Sequence, residues 1–129
     1  MDDDYADKPL VYACSGCSNV AQLANDLAVV LDREGSAQMS CIAGVGGKVK
    51  QLVKVAQSGR PIIAVDGCPL NCVKQTLATV DVVPTWHIEL TSLGYKKRDH
   101  ENCGLGDAYQ LLHMVHSDIL PQAAKSRTD

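Results

Sequence analysis

The sequence predicts an α/β fold, a three-layer sandwich with an open, mostly parallel four-stranded sheet and helices on both faces. Two observations predict it. Short apolar runs alternate four times with stretches of helical periodicity. One of those runs, "PIIAV" (61–65), is apolar throughout, as a central strand covered on both faces requires. Right-handed crossovers then place helices on both sides of the sheet, and the expected strand order is 2-1-3-4.

The elements follow in order. "PLVYA" (9–13) is a buried strand opened by proline. Val20, Leu23, Ala24, Leu27, Ala28 and Leu31 have helical spacing, with Ser18 or Asn19 available as the N-cap and Gly35 just past the end. "QMSCIA" (38–43) reads as a second strand ending near Cys41, and "GVGGK" leads into a helix carrying Val49, Leu52, Val53 and Ala56. After "PIIAV", Pro69 suits a first helical position and a helix runs to about Ala78. "WHIEL" (86–90) is the fourth strand, and "GYKKRDHENCG" is a polar, exposed loop. Ala108, Leu111, Leu112, Val115 and Ile119 mark a last helix, with Asp107 as its cap and Pro121 near its end.

The chain has 129 residues, which suits one domain over 1–129 with flexible tails at 1–8 and 122–129. Hydrophobic residues make up 46%, but aromatics only 4% with no Phe, so Leu, Val, Ile and Ala supply the core. A formal charge of −3 gives no general electrostatic reason to bind nucleic acid. No run reaches the length of a membrane span. The opening "MDDDYADK" lacks the basic-then-apolar plan of a secretory signal, so a cytoplasmic location is expected.

Six cysteines are many for such a chain, and in a reducing compartment they point to metal or redox chemistry. Cys14 and Cys17 follow strand one, Cys41 closes strand two, and Cys68 and Cys72 follow strand three. The carboxyl ends of parallel strands lie along one edge, where open α/β folds bind ligands at a switch in strand order. The two clusters are therefore expected to form one site, although Cys14 and Cys72 are 58 positions apart. With Pro69 opening a helix, Cys68 and Cys72 would share its first turn. Two such pairs can supply four thiolates to one tetrahedral zinc ion, and helix amino termini at that edge would offset the thiolate charge. Lys74 would add to that field. Cys41 read alone is also a small buried filler. Cys103 lies in a different context, apart from the site.

The segments "CSGCSNVAQLANDLA", "MSCIAGVGG" and "PIIAVDGCPLNCVKQTL" resemble the DGC-domain family of zinc-binding proteins, over roughly residues 9 to 98. The resemblance implies a zinc site built from Cys14, Cys17, Cys68 and Cys72, with Cys41 also matching. It says nothing of Cys103 or the last helix. Five candidate ligands exceed a tetrahedral set by one, so Cys41 either replaces a ligand or serves as an exchange thiol.

Other signals read more plainly. Asp66 is expected to cap the following helix, with a place beside the metal as the alternative. "GVGGK" lacks the spacing of a phosphate loop, so its glycines read as a tight turn. His113 and His116 are helix-flank residues, His87 a strand histidine, and "KKR" (96–98) solvated surface. The expected function is a zinc-binding protein whose partners are a metal ion and an unidentified protein, with neither membrane nor nucleic acid. A Cys14–Cys17 thiol-disulfide oxidoreductase and an iron–sulfur protein are the alternatives. A closed all-cysteine shell argues against zinc hydrolysis, since catalytic zinc keeps an open position. A structural, transfer or catalytic role stays open.

Overall fold

A computed structural model describes residues 7–122. The tails expected at 1–8 and 122–129 fall mostly outside them, except that Asp7 and Lys8 lead into the first strand and Gln122 continues the last helix. The strands are β1 (Leu10–Ala13), β2 (Gln38–Met39), β3 (Ile62–Asp66) and β4 (Trp86–Glu89). They form one sheet in the order β2-β1-β3-β4, with every neighbouring pair parallel. The crossover from β1 runs outward to β2, whereas β3 runs the other way to β4. The switch in direction thus falls between β1 and β3, which pair from Leu10↔Ile62 to Ala13↔Val65.

Alternation along the central strands divides the core in two. Val11, Ala13, Ile63 and Val65 face α1 (Asn19–Arg33) and α5 (Leu105–Met114). Leu10, Tyr12, Ile62 and Ala64 face the other way, toward α2 (Ile42–Gly46), α3 (Lys50–Ala56) and α4 (Cys72–Ala78). Both layers are closed, with Leu31, Ile63 and Leu77 essentially inaccessible. Each such side chain contributes roughly 1.5–3 kcal/mol of burial free energy. The expected three layers are therefore present, and each has its own apolar filling.

Helix α1 starts where Ser18, in extended conformation, accepts the Ala21 N–H at 3.1 Å, and it stops ahead of Gly35 at φ +81°. Three local expectations are corrected. Strand β2 is only two residues long, because the chain turns at Cys41 and starts α2, whose Val45 N–H bonds to the Cys41 carbonyl. Helix α4 begins at Cys72, not Pro69, because Asn71 takes a left-handed backbone (φ 53°) that a continuous helix does not contain. Helix α5 begins at Leu105, so Asp107 is its third residue, and the Asp107 carboxylate accepts the Gly104 N–H at 3.2 Å. Beyond Met114 the helix widens into a π-turn over Val115–Ile119. No helix among the described residues is long and apolar enough to cross a membrane.

Candidate metal centre

The site is built on the ends of β1 and β3. Cys14 follows β1 directly, and its N–H donates to the Val65 carbonyl at 3.1 Å, continuing the ladder by one residue. One step beyond β3, the Gly67 N–H donates to the Cys14 sulfur at 3.1 Å. That contact requires glycine. A Cβ at Gly67 would stand 2.8 Å from the Val20 carbonyl carbon and 2.9 Å from the Ala21 nitrogen, inside the first turn of α1. The missing side chain lets the β3 loop lie flat on α1 and reach the first cysteine.

Cys14 is half-buried, and its pKa is pushed up to about 11. Burial is the main cause; the charges of Asp66, Cys72 and Cys68 add to it, and the Gly67 N–H opposes it. Cys14 therefore shares one electrostatic neighbourhood with Cys68 and Cys72, as the sheet topology predicts. It also stays a thiol at neutral pH, which counts against it as the activated nucleophile of an oxidoreductase.

Asp66 is almost inaccessible, at 1% exposure, and fully partnered. Its Oδ1 accepts the Val73 N–H at 2.7 Å, and its Oδ2 accepts the Lys74 N–H at 3.2 Å and lies 2.8 Å from His87 Nε2. Asn71 makes no side-chain cap, so Asp66 caps α4 from the end of the preceding strand. The capping role expected of Asp66 is observed, together with a His87 partner on β4 that the sequence did not indicate.

The remaining cysteines divide by position. Cys17 is exposed immediately before the Ser18 cap, and its carbonyl accepts the His100 N–H at 3.1 Å. Cys68 lies half-buried in the turn whose Asn71 N–H bonds to its carbonyl, and Cys72 is the exposed first residue of α4. Contrary to the expectation, the two therefore do not share the first turn of one helix. Cys14 and Cys72 line a cleft of about 200 Å³ with Ile42, Ala43 and Thr76. Cys41 is exposed at the start of α2, two residues past β2. Of the nearby backbone amides, the Gly47 N–H is committed to the Ala43 carbonyl and the Val45 N–H to the Cys41 carbonyl. Among the described residues, no three His, Cys, Asp or Glu side chains stand close enough together to hold a metal ion. The fold brings Cys14, Cys68 and Cys72 together at the switch point without setting them at coordinating distance.

The side chains of the basic run are exposed, as expected, but its backbone is tied down. Asn19, at 1% exposure, donates its amide to the Lys96 carbonyl at 2.8 Å and accepts the Arg98 N–H at 2.5 Å. Its own N–H donates to the Arg98 carbonyl at 2.9 Å, and Ser18 and Asp99 form an antiparallel bridge. The loop after β4 is therefore strapped across the start of α1, which sets Lys97 Nζ 3.7 Å from the Cys68 sulfur. Cys103 lies under the same strap, its sulfur 3.6 Å from Asn19 Nδ2 and 3.6 Å from the Asn19 carbonyl oxygen. The signal that marks the strap is Asn19 itself, a polar residue one step after the cap on a buried helix face. On α5 and the π-turn, His113 and His116 are exposed, and His116 pairs with Glu34 at 2.6 Å, as flank residues do.

A parallel sheet whose two central strands end in Cys14 and in Asp66-Gly67-Cys68 defines the class: the chain belongs to the DGC-domain family, whose model matches residues 10–115. Within it, the chain is 66% identical over 113 residues to a protein of Pseudomonas aeruginosa described as "Anaerobic and virulence modulator AnvM". The match covers 88% of this chain and 86% of that relative. No solved structure matches the chain.

Proposed function

We propose that the protein binds one zinc ion through cysteine thiolates at the carboxyl edge of its sheet and acts in regulation rather than catalysis. The observation that carries this is the shared electrostatic neighbourhood of Cys14, Cys68 and Cys72 at the strand-order switch. These three are the core of the donor set. Cys17, exposed on the loop that follows Cys14, is the fourth, and Cys41 is the reserve thiol. The donor chemistry fits zinc: soft thiolates, with the adjacent Asp66 carboxylate committed to α4 and His87.

Because no three donors among the described residues stand at coordinating distance, binding draws the 14–17 and 67–72 loops together over a finished core. When bound, zinc supplies positive charge that offsets the thiolates and ties those loops to each other. The chain's own part is to hold the strand ends in register and the β3 loop against α1. A metal that orders surface loops suits a regulator. The relative's description as a modulator supports that reading, and thiol ligation fits the reducing cytoplasm.

Anaerobic purification with elemental analysis tests the proposal: about one zinc per chain is expected. No metal, or iron with labile sulfide and visible absorption, overturns it. A second reading, thiol–disulfide exchange at the rim, draws on the Lys97 ammonium beside Cys68. It requires metal-free protein and a reversible disulfide involving Cys68, which mass spectrometry detects.

A further inference from the structure

Along the same stripe of α1 that carries the strap's anchor Asn19, a groove of about 250 Å³ runs between α1 and α5. Its two walls carry the same spacing: Leu23, Leu27 and Val30 on α1, and Leu105, Tyr109 and Leu112 on α5, each set at i, i+4 and i+7. Leu23 and Leu27 form a buried floor, whereas Leu105 (82% exposed), Tyr109 (71%) and Val30 (41%) stand open to solvent. One ionised side chain interrupts the apolar lining. It is Asp26, one turn beyond Leu23, which has no hydrogen bond or ion pair among the described residues.

We infer that this groove docks a cationic amphipathic helix of a partner protein. Two helical ridges with matched i, i+4, i+7 spacing leave a trough shaped for a third helix, the helix-in-groove mode of recognition. The charge selects among occupants. A second copy related by a two-fold axis passing near Asp26 would bring that carboxylate toward its own image, and like charges oppose that contact. Anionic lipid surfaces and nucleic acids are disfavoured for the same reason, on a chain of net charge −3. The volume is small for an ordinary small-molecule site, where about 300–1,000 Å³ is usual. An incoming Lys or Arg pairs Asp26, while leucines at matching spacing cover Leu105 and Tyr109.

The test uses the full chain and two labelled synthetic peptides of about 18 residues, long enough to span the groove as helices. Both carry leucines at i, i+4 and i+7; one is flanked by lysines and the other by glutamates. The lysine peptide is expected to bind with Kd below about 100 μM, roughly three- to tenfold more tightly than the glutamate peptide, with the ratio shrinking at high salt. Asp26→Lys should abolish or reverse that preference. Tyr109→Ser should weaken the lysine peptide about tenfold, and Leu105→Ser serves instead if circular dichroism shows the first variant misfolded. No saturable binding, equal affinity for both peptides, or indifference to Tyr109→Ser and Leu105→Ser overturns the inference. So does a dimer in sedimentation that Tyr109→Ser dissolves, which would assign the groove to a second copy.

Discussion

Oδ2 of Asp66 lies 2.8 Å from Nε2 of His87, so a carboxylate sealed at the end of the third strand is joined to the fourth strand as well as to helix α4. Replacing it by alanine leaves the Val73 and Lys74 amides without their acceptor and deprives His87 of its partner. The expected loss is about 2–4 kcal/mol in urea unfolding, with Asp66→Asn costing less because it keeps one acceptor oxygen. Occupancy of the proposed zinc site should fall in step, since Cys72 opens the helix that Asp66 caps.

Gly67→Ala should be destabilising out of proportion to one methyl group. The new carbon meets α1 backbone at 2.8 Å, which cannot move aside as a flexible side chain would. A loss of about 1–3 kcal/mol is expected from the displaced loop, together with weaker zinc binding as the Cys14–Gly67 contact opens. Gly106, where an added Cβ meets nothing within 4 Å and the backbone is not left-handed, serves as the reference glycine.

The pKa of Cys103 is raised, chiefly by burial and further by the charge of Asp107. An acid whose folded pKa lies above its unfolded value favours folding while both states keep the proton. That advantage is lost as pH climbs through the unfolded value, near 9, toward the folded one. Alkylation of metal-free protein at pH 8 should therefore modify exposed Cys17 and Cys41 well before Cys103, as peptide mass spectrometry reports.

Asn19→Ala removes both side-chain ties to the strap and should cost about 2–3 kcal/mol. Limited trypsin digestion should then cut after Lys96, Lys97 or Arg98 at least several-fold faster than in the parent chain, while sites within the helices keep their protection.

Chelation should leave the fold standing. Two apolar layers of buried Leu, Val, Ile and Ala close on the sheet, with Cys14, Cys68 and Cys103 packed only at their margins, so far-ultraviolet circular dichroism should change little on zinc removal. Hydrogen exchange should rise in the 14–17 and 67–72 loops. Serine at Cys14, Cys68 or Cys72 should lower bound zinc the most, and serine at Cys103 should leave it unchanged.

The sequence by itself determined the alternation of strands and helices and the placement of cysteines at strand ends; the order 2-1-3-4 is an expectation that the sheet bears out. These follow from periodicity and from the geometry of parallel crossovers, which depend on near neighbours along the chain. It misplaced the ends of β2 and the start of α4, because Cys41 and Asn71 turn the backbone through contacts and conformations that apolar spacing does not encode. Only the tertiary structure decided that Asp66 meets His87, that Asn19 holds the Lys96–Arg98 strap, and that Lys97 comes to Cys68. Those meetings join residues between 21 and 79 positions apart. Such encounters arise from the packing of whole elements against each other, and a local pattern contains no record of them.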